Sequence, residues 1–308
     1  MADYVYGLLH GVDEKKRIIA IKVNKKVTFY YMAKGMFQSF MQYFKSGIYV
    51  FMDVQESSRR YRGYTVNNVL NIEKVLSPNR QKPTIYYDVS VIKSGISHIM
   101  NSKKPKLFLD FEMSMPPYKN YNNFVSEIIQ VGFILTDAIG EIIQKKSFFV
   151  KTRLFKDISD RTKKFLHIDQ EQIDSGIEYR DFYDLFLEIL QTYKPMVLVW
   201  GQNDRIELRK MNLSYQLSDF TPTTQFIDLL KLHKTYFGLK NDLGLFNAYT
   251  LYYENDLDKQ KHDALEDARV TKAVFDGFLE VCNNKRIVSL NTENESEIGK
   301  ENNHEAEE

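Results

Sequence analysis

Hydrophobic and polar positions alternate along much of the first seventy residues, the pattern of half-buried β-strands. Such alternation predicts five strands, at 4–9, 17–23, 27–31, 47–54 and 64–76. Between the third and fourth strands the period changes, because the apolar residues of 33–45 recur at helical spacing. This pattern predicts an amphipathic helix there. The charged segment 57–62 is predicted to be a loop between the last two strands.

Three strands, a helix and two more strands are the element order of an OB-fold barrel. OB folds often bind single-stranded nucleic acid. The same order also suits a generic small β-barrel that only docks on its neighbour. An extra strand is expected at 84–92, before a polar segment at 101–106 that contains a proline. We place a domain boundary in that segment and predict a small, OB-like β-barrel domain over residues 1–102.

The rest of the chain has a different pattern. Three apolar strands are predicted at 107–112, 127–136 and 141–150, with a turn between the last two. Mostly helical segments follow, interrupted by a strand at 196–200 and a shorter one at 225–227. The helices are predicted at 160–173, 179–193, 204–217, 228–237, 241–252 and 263–282. Antiparallel strands followed by crossover helices predict a mixed α/β domain over 106–284.

Composition places the chain among ordinary globular proteins, with 43% hydrophobic and 27% charged residues in a length of 308. The longest apolar runs are far shorter than the roughly 20 residues that a membrane helix needs. The first residues do not have the basic region of a signal peptide. One cysteine, Cys282, cannot form an internal disulfide or a cysteine zinc site. We therefore expect a cytoplasmic protein that does not enter the membrane.

Charge is divided unequally between the two predicted domains. Residues 1–106 contain 18 basic and 7 acidic residues, a net charge of +11, whereas the remainder carries −10. A basic domain beside an acidic one suggests that the first domain binds a polyanion, although a merely solvated basic surface is the alternative. The Asn- and Glu-rich segment 285–308 is expected to be a disordered acidic tail.

Two carboxylates lie at the end of the first strand of the α/β domain. Asp110 and Glu112 are two residues apart and therefore point to the same face of that strand. Neighbouring carboxylates repel each other, and a divalent cation such as Mg²⁺ or Mn²⁺ removes that repulsion. A metal site is one interpretation of the pair. A solvated strand edge is the alternative.

A third carboxylate follows the strand at 196–200. Apolar residues run up to Trp200, a glycine comes next, and Asp204 stands where a helix is predicted to begin. Ligands of open α/β sheets bind at the carboxyl ends of the strands, so Asp204 is a candidate ligand-binding residue. An ordinary helix N-cap is the alternative for it.

The last candidate segment is a predicted helix start. Asp263 and Glu266 have the spacing of a capping box, which makes Asp263 the N-cap. His262 then precedes the cap and Asp267 lies at the fourth helical position, and these two positions contact each other in many helices. A polar pair at these positions stabilises little, so we interpret it as functional. An exposed histidine beside a surface aspartate is the alternative.

Asp110, Glu112, Asp204, His262 and Asp267, in this order, resemble the active-site residues of the DEDDh exonucleases. The resemblance covers residues 106–282. It is supported by the segment 127–132, by Trp-Gly-x-x-Asp around Asp204 and by the segment 165–173. These details most resemble the branch of histone-mRNA 3′ exonucleases and bacterial sporulation-inhibitor exonucleases. The sequence departs from many members at Met113 and Ser114, where they carry threonine after the glutamate.

The resemblance implies a ribonuclease H-like mixed sheet with flanking helices and a 3′→5′ exonuclease that hydrolyses single-stranded RNA or DNA to nucleoside 5′-monophosphates. It implies two Mg²⁺ or Mn²⁺ ions about 4 Å apart, with Asp110 bridging both ions. Glu112 and Asp267 would complete one metal site, and Asp204 would support the other. His262 would accept the proton of the attacking water.

Further contacts to nucleic acid are predicted for Arg59, Arg60 and Arg62, and for Trp200. Aromatic residues of the first domain are expected to stack on bases. Two rival hypotheses stay open at this point. One is a non-catalytic nucleic-acid-binding protein on a nuclease scaffold. The other makes the first domain a protein-docking or dimerisation module, and a homo-oligomer is compatible with either.

Overall fold

The computed structural model describes residues 2–23, 25–79, 82–119, 124–239, 241–254 and 262–288. The chain forms two compact units, Met1–Gly95 and Ile96–Glu308. Of the predicted acidic tail, residues 289–308 lie outside the described residues. No helix in the described ranges is long and apolar enough to cross a membrane.

The first unit contains a β-barrel built from the predicted strands. Antiparallel pairing joins the strands in the order β3-β2-β1-β4-β5, and a parallel pairing between β3 and β5 closes the five-stranded barrel. A sixth strand pairs antiparallel with the last residues of β5. Helix α1 lies between β3 and β4. The elements are β1 Ala2–Asp13, β2 Ile18–Val23, β3 Lys26–Tyr31, α1 Lys34–Phe40, a 3₁₀ turn at Met41–Tyr43, β4 Tyr49–Tyr61, β5 Tyr64–Ser77 and β6 Thr84–Asp88.

The barrel interior is filled by alternate side chains of these strands. Ile19, Ile21, Val50 and Met52 are fully buried there, and Phe37 of α1 packs against the same cluster. In β4 the side chains between the buried ones are half-buried on the opposite face, whereas in β2 the intervening Ile18 and Ala20 are buried as well. The predicted alternation therefore gives the buried face of β4, while β2 is buried on both faces.

The predicted loop at 57–62 is wrong. Strand β4 continues through this charged segment to Tyr61, whose backbone pairs with Tyr64 of β5. Only Arg62 and Gly63 form the turn, with φ of 47° and 91°. Positive φ at both central residues is the geometry of a two-residue hairpin turn, which glycine adopts readily. The hairpin extends beyond the barrel core, so its strands need no apolar alternation.

The strand predicted at 84–92 is only partly correct. β6 ends at Asp88, and helix α2 follows at Val89–Met100. The Asp88 carboxylate accepts hydrogen bonds from the backbone N–H and the hydroxyl of Ser90 and pairs with Lys74. These contacts fix the start of the helix, where the β-branched residues Val89 and Val91 had suggested a continuing strand.

The second unit contains a five-stranded mixed sheet in the order β11-β10-β7-β8-β9. β7, β8 and β9 are antiparallel, whereas β10 is parallel to both β7 and β11. Its strands are β7 Lys106–Met113, β8 Ile128–Thr136, β9 Ile142–Phe149, β10 Met196–Val199 and β11 Phe226–Asp228. Its helices are α3 Asp160–Leu166, α4 Gln170–Asp174, α5 Tyr179–Tyr193, α6 Asn203–Ser214, α7 Leu229–Phe237, α8 Leu245–Thr250 and α9 Ala264–Cys282.

Helices cover both faces of the central strand β7. Leu109 and Phe111 point to one face, where Phe111 packs edge-on against Phe182 of α5. Phe108 points to the other face and packs against Phe275 of α9. The sheet is thus the middle layer of the unit, and side chains at the carboxyl end of β7 face the start of α9.

One predicted helix is divided in two. The segment 160–173 forms α3 and α4, separated at His167, which has a left-handed backbone conformation with φ of 54°. Asp169 begins α4 with a capping box, because its side chain accepts from the Gln172 N–H and Gln172 accepts from the Asp169 N–H. The helical period continues across this break, which explains why the sequence predicted a single helix.

Candidate active site

Asp110 and Glu112 lie near the carboxyl end of β7, on the face that α9 covers. Asp110 pairs with Gly132 and Glu112 with Gln130 of the neighbouring strand β8. The carboxyl end of β10 lies at the same edge of the sheet because β10 is parallel to β7. Residues that follow β10 therefore converge with the two carboxylates, as expected for this sheet type.

Gly132 and Gln130 position the start of α9 against this edge. A Cβ atom on Gly132 would lie 2.1 Å from the carbonyl carbon of Ala264 and 2.2 Å from the backbone nitrogen of Leu265. Glycine is therefore required for the close approach. The Gln130 amide donates to the Asp263 carboxylate over 2.8 Å, while Asp263 caps α9 by accepting from the N–H groups of Leu265 and Glu266.

The start of α9 carries the next two candidates to the same place. Ligand atoms of Glu112, His262 and Asp267 all lie within 4.8 Å of one another. His262 has a left-handed backbone with φ of 50° directly before the helix, and Asp267 is buried one turn later. The imidazole also packs on the ring of Phe165, with centroids 4.3 Å apart. The structure thus brings together three of the predicted residues.

Asp204 reaches the same strand from helix α6. The helix begins with Gln202 as its N-cap, so Asp204 is not the N-cap residue. Its buried carboxylate instead accepts a 3.1 Å hydrogen bond from the backbone N–H of Phe111, the residue between Asp110 and Glu112. This bond holds Asp204 beside the two carboxylates of β7.

The four carboxylates destabilise one another's charged forms. The pKa of Asp110 lies well above its usual range. Burial is the main cause, followed by the charges of Asp204, Asp267 and Glu112. Burial, Asp267 and Asp204 likewise raise the pKa of Glu112 to about 8. Burial raises the pKa of Asp204 to about 7, although the hydrogen bond from Phe111 opposes the shift. Burial and repulsion of this kind favour protonation of the carboxylates or their neutralisation by a bound cation.

The chemistry of this donor set fits divalent cations. Carboxylate oxygens are the ligands that Mg²⁺ and Mn²⁺ prefer, and a bound cation would relieve the repulsion that raises the pKa values. Asp110, Glu112, Asp204 and Asp267 supply those oxygens, and His262 supplies a ring nitrogen at the margin of the cluster. The residues present therefore match a metal-dependent site.

A surface pocket of about 510 Å³ begins at Glu112. Its wall contains the apolar side chains of Met113, Met115 and Phe124, and Lys210 lies at its border. Ser114, at the position where the sequence departs from many DEDDh members, accepts from the backbone N–H of Glu127 through its hydroxyl. Ser114 therefore has a structural role beside the pocket, at a position where many DEDDh members carry threonine.

The remaining predicted contact residues lie elsewhere. Trp200 follows β10, and its indole N–H donates to the carbonyl of Leu243 over 3.0 Å while the ring packs against His233. Arg59 and Arg60 lie on β4, and Arg62 lies in the adjacent turn of the first unit. A contact of these four residues with nucleic acid stays a prediction.

Sequence reasoning assigned no role to several residues that shape the site. Gln130 and Gly132 hold the start of α9, and Phe165 contacts the His262 ring. Glu127 is fully buried and accepts from the backbone N–H groups of Arg153 and Leu154. A glycine inside an apolar strand is a known sign of close backbone approach, so Gly132 was detectable in principle.

Comparison with known proteins agrees with this geometry. The RNase_T family, described as "Exonuclease", matches residues 107–275. The probable 3′-5′ exonuclease KapD of Bacillus subtilis (strain 168) is 30% identical over 170 residues, which cover 55% of this chain and 82% of the relative.

Solved structures show the same fold. The nuclease domain of 3′hExo, a DEDDh family member bound to rAMP, superimposes with a TM-score of 0.51 at 18% identity, over 62% of this chain and 98% of that one. A 3′-exonuclease that recognises the histone mRNA stem-loop has a TM-score of 0.51 at 18% identity, over 58% and 84%. The second unit is therefore a ribonuclease H-like exonuclease fold, and the chain belongs to the RNase_T exonuclease family as a 3′-5′ exonuclease of the DEDDh type.

Proposed function

We propose that the enzyme hydrolyses single-stranded RNA or DNA from the 3′ end, with two Mg²⁺ or Mn²⁺ ions, and releases nucleoside 5′-monophosphates. The convergence of four carboxylates and His262 at one edge of the sheet is the observation that carries this proposal. A site that concentrates negative charge has little affinity for a phosphodiester by itself. Divalent cations make it a site for phosphates.

Asp110, Glu112, Asp204 and Asp267 are the residues that would hold the metal. When bound, the cations polarise the phosphodiester and lower the pKa of a coordinated water. His262 would accept the proton of the attacking water, since an imidazole is the side chain best suited to general-base catalysis near neutral pH. Phe165 supports the imidazole from one side, and the hydrogen bond from Phe111 fixes the orientation of Asp204.

The 510 Å³ pocket beside Glu112 is the proposed site of the 3′-terminal nucleotide. Its apolar wall offers surfaces for a base or a sugar, and Glu112 at its border would bring the scissile phosphate next to the proposed metal ligands. The structure of 3′hExo with rAMP supports the binding of a mononucleotide in this fold. The structure of a 3′-exonuclease on a histone mRNA stem-loop supports an RNA strand as partner.

We further propose that the barrel is OB-like. The strand order, the parallel closure between β3 and β5 and the helix between β3 and β4 support this assignment. We propose residues 1–102, 106–284 and 285–308 as the functional divisions of the chain. The lone Cys282, a free and buried thiol, suits a reducing compartment and supports a cytoplasmic enzyme.

Labelled strands test the catalytic proposal. RNA and DNA strands carrying a label at either end are incubated with purified full-length enzyme and Mg²⁺, Mn²⁺ or EDTA. A 5′ label should give a descending ladder, whereas a 3′ label should appear at once as a mononucleotide. EDTA should stop both, and excess Mn²⁺ should restore them. Release of mononucleotides from the 5′ end would contradict the proposed direction.

A matched pair of variants tests the site itself. Asp204→Asn should abolish hydrolysis because it removes a buried carboxylate from the cluster. Asp184→Asn, on the exposed surface of α5, should leave hydrolysis unchanged, since its only described ion pair is with Arg180 on the same helix. Equal activity of the two variants would remove Asp204 from the site.

A further inference from the structure

We propose that one end of the β-barrel is a binding site for single-stranded nucleic acid, built from rings and cations that contact one another. This inference rests on the proposed function, because it supplies a second contact for the strand that the active site shortens. We call this surface the cation–aromatic cluster. Its members are Lys16, Arg17, Phe29, Tyr31, Arg59, Tyr61, Arg62 and Tyr64.

Two connections of the barrel bring the cluster together. The β4–β5 hairpin places Tyr61 and Tyr64 opposite each other at its tip. The β1–β2 turn contacts this hairpin, because Arg62 donates to the carbonyl of Lys15. Strand β3 completes the surface, since Tyr31 lies 4.7 Å from the ring of Tyr61. Three separate segments of sequence therefore form one continuous surface.

Each tyrosine ring of the cluster has a basic neighbour, whereas Phe29 contacts the ring of Tyr64. The guanidinium of Arg59 lies 4.8 Å from the ring centroid of Tyr31 and 5.0 Å from that of Tyr61. Arg17 lies over the Tyr31 ring and donates to its hydroxyl over 2.9 Å. The Tyr64 ring has the ammonium group of Lys16 above it, at 4.7 Å. Contacts of this kind hold a cation in place without removing its charge.

The guanidinium charges are not neutralised by acidic side chains. Within the described ranges, no ion pair joins Arg17, Arg59 or Arg62 to a carboxylate. Arg59 and Arg62 are exposed, and the rings of Tyr61 and Tyr64 are half-buried. The domain that contains them, residues 1–102, has 15 basic and 7 acidic residues, a net charge of +8. One N–H of Arg59 and one of Arg62 are already engaged, since Arg59 Nε donates to the side-chain oxygen of Asn68 and Arg62 donates to the carbonyl of Lys15. Their remaining N–H groups can bind phosphate oxygens, and the exposed parts of the rings can stack on bases.

The same barrel has an aromatic surface of different character. Tyr6 stacks on Phe51 at 5.4 Å beside the exposed Tyr4, on strands β1 and β4. Burial, followed by the charges of Glu73 and Asp53, raises the pKa of Tyr4, and Lys74 opposes this shift. These rings therefore have charges of both signs near them and, among the described residues, lack the cations that contact the rings of the cluster, so aromatic exposure alone does not define the proposed site.

Strand geometry separates Arg59 from Arg60. Side chains alternate along β4, so Arg59 and Tyr61 share a face and Arg60 points away from both. The two arginines are equally charged, adjacent and exposed. A variant of Arg60 therefore measures the effect of lost charge alone. A variant of Arg59 measures the loss of the cluster.

The test is the affinity of the full-length protein for a labelled strand of about 20 nucleotides, longer than the sites that single OB folds cover. Fluorescence anisotropy in EDTA measures Kd without hydrolysis, for RNA and for DNA, between about 50 and 200 mM salt. The variants are Arg59→Ala against Arg60→Ala, Tyr61→Ala against Tyr6→Ala, and the combination of Lys16→Ala, Arg59→Ala and Arg62→Asn. Asparagine tolerates the left-handed backbone of Arg62. Thermal melting verifies that each variant is folded.

Tyr61→Ala should weaken binding roughly ten- to hundred-fold at every salt concentration, because a lost stacking contact does not depend on counterions. The triple variant should also flatten the plot of log affinity against log salt, by about 2 in slope for three lost phosphate contacts. Arg60→Ala should lose clearly less affinity than Arg59→Ala, because it removes one charge and leaves the cluster intact, and Tyr6→Ala should bind like wild type. Equal losses for Arg59→Ala and Arg60→Ala would overturn the proposal in favour of unspecific charge. Displacement of the strand by polyglutamate at equal concentration would overturn it in favour of protein docking.

A parallel measurement separates this inference from the proposed function. Wild-type hydrolysis of a dinucleotide with Mg²⁺ depends on the active site, since so short a substrate does not extend to a second site. Hydrolysis with unchanged Kd values in all variants would overturn the inference alone. Altered Kd values as described, with no hydrolysis of any substrate, would support the inference and contradict the catalytic proposal.

Discussion

The two units of this enzyme hold their charges in opposite ways. In the barrel, basic side chains lie on the surface and are supported by aromatic rings, as Arg59 is between Tyr31 and Tyr61. In the exonuclease unit, like charges are buried together, and their repulsion raises the pKa values of Asp110, Glu112 and Asp204. Exposed cations attract phosphates without a cofactor, whereas buried carboxylates need a cation before they can do so.

This difference predicts how each unit responds to change. An exposed contact contributes a fraction of the binding energy, so its loss has a gradual effect. The active-site groups act together, so the loss of one removes most of the activity. Changes in or beside the buried carboxylate cluster should therefore have strong effects on the second unit.

Outside the four carboxylates, the largest effect is expected for His262→Ala. Loss of a positioned general base should lower the hydrolysis rate by about 10²–10⁴-fold. Metal affinity measured by calorimetry should be retained, because the carboxylates remain. His98→Ala, an exposed histidine of α2, is the control and should behave like wild type. A parallel loss of metal affinity in His262→Ala would make His262 a ligand and contradict its role as base.

Gly132→Ala should disrupt the site by displacing α9. Its added methyl group would meet backbone atoms of Ala264 and Leu265 at about 2 Å, and backbone cannot move aside as a side chain can. We expect the free energy of unfolding to fall by about 2–3 kcal/mol, the range of overpacking, together with most of the activity. Gly35→Ala in α1 has no atom within 4 Å of the new methyl group and should be neutral or stabilising. Equal melting curves for the two variants would contradict the close approach.

Stability should depend on pH in the absence of metal. The pKa values of Glu112 and Asp204, about 8 and about 7, are raised above those of the unfolded chain. The folded state therefore binds more protons, and its stability falls as pH rises from about 4, the pKa of these groups in the unfolded chain, up to these values and levels off above them. From pH 6 to 8 the two groups together remove roughly 4 kcal/mol of stability. Mg²⁺ should raise the melting temperature more at pH 8 than at pH 6, measured by calorimetry. A metal effect independent of pH would contradict the buried cluster.

A smaller effect is expected at Phe165, which supports the His262 ring from outside the carboxylate cluster. Phe165→Ala should lower the hydrolysis rate by about 2- to 10-fold, the energy of one aromatic contact. Phe165→Tyr keeps the ring and should retain the rate. Identical rates for the alanine and tyrosine variants would show that the ring does not position His262.

Sequence reasoning predicted the parts of the fold in which the periodicity of apolar residues decides the structure. The five barrel strands and the start of α9 at Asp263 follow from alternation and capping. It failed at His167 and at Val89, where local hydrogen bonds and a left-handed residue end or begin helices without any change of period. It also failed along the hairpin to Tyr61, because paired strands that extend beyond the core have no buried face.

The chemistry of the site was more accessible to sequence than its geometry. The candidate residues themselves, such as Asp110 and His262, were named from their spacing and resemblance. The residues that hold these candidates in position, such as Gln130 and Phe165, were not identified individually, because they reach the site from distant segments of the chain. The cation–aromatic cluster was only partly foreseen, since alternation along β4 separates Arg60 from Arg59 once the segment is known to be a strand.

The most direct test of the division between binding and cleavage uses Asp110→Asn in the full-length protein. The substitution keeps the side-chain volume and removes one charge from the carboxylate cluster. Affinity for a labelled single strand and its hydrolysis with Mg²⁺ are measured on the same preparation, with Asp184→Asn as control. We predict no detectable ladder and a Kd equal to or tighter than that of wild type. Near-wild-type hydrolysis, or a loss of affinity that matches the loss of activity, would contradict the account.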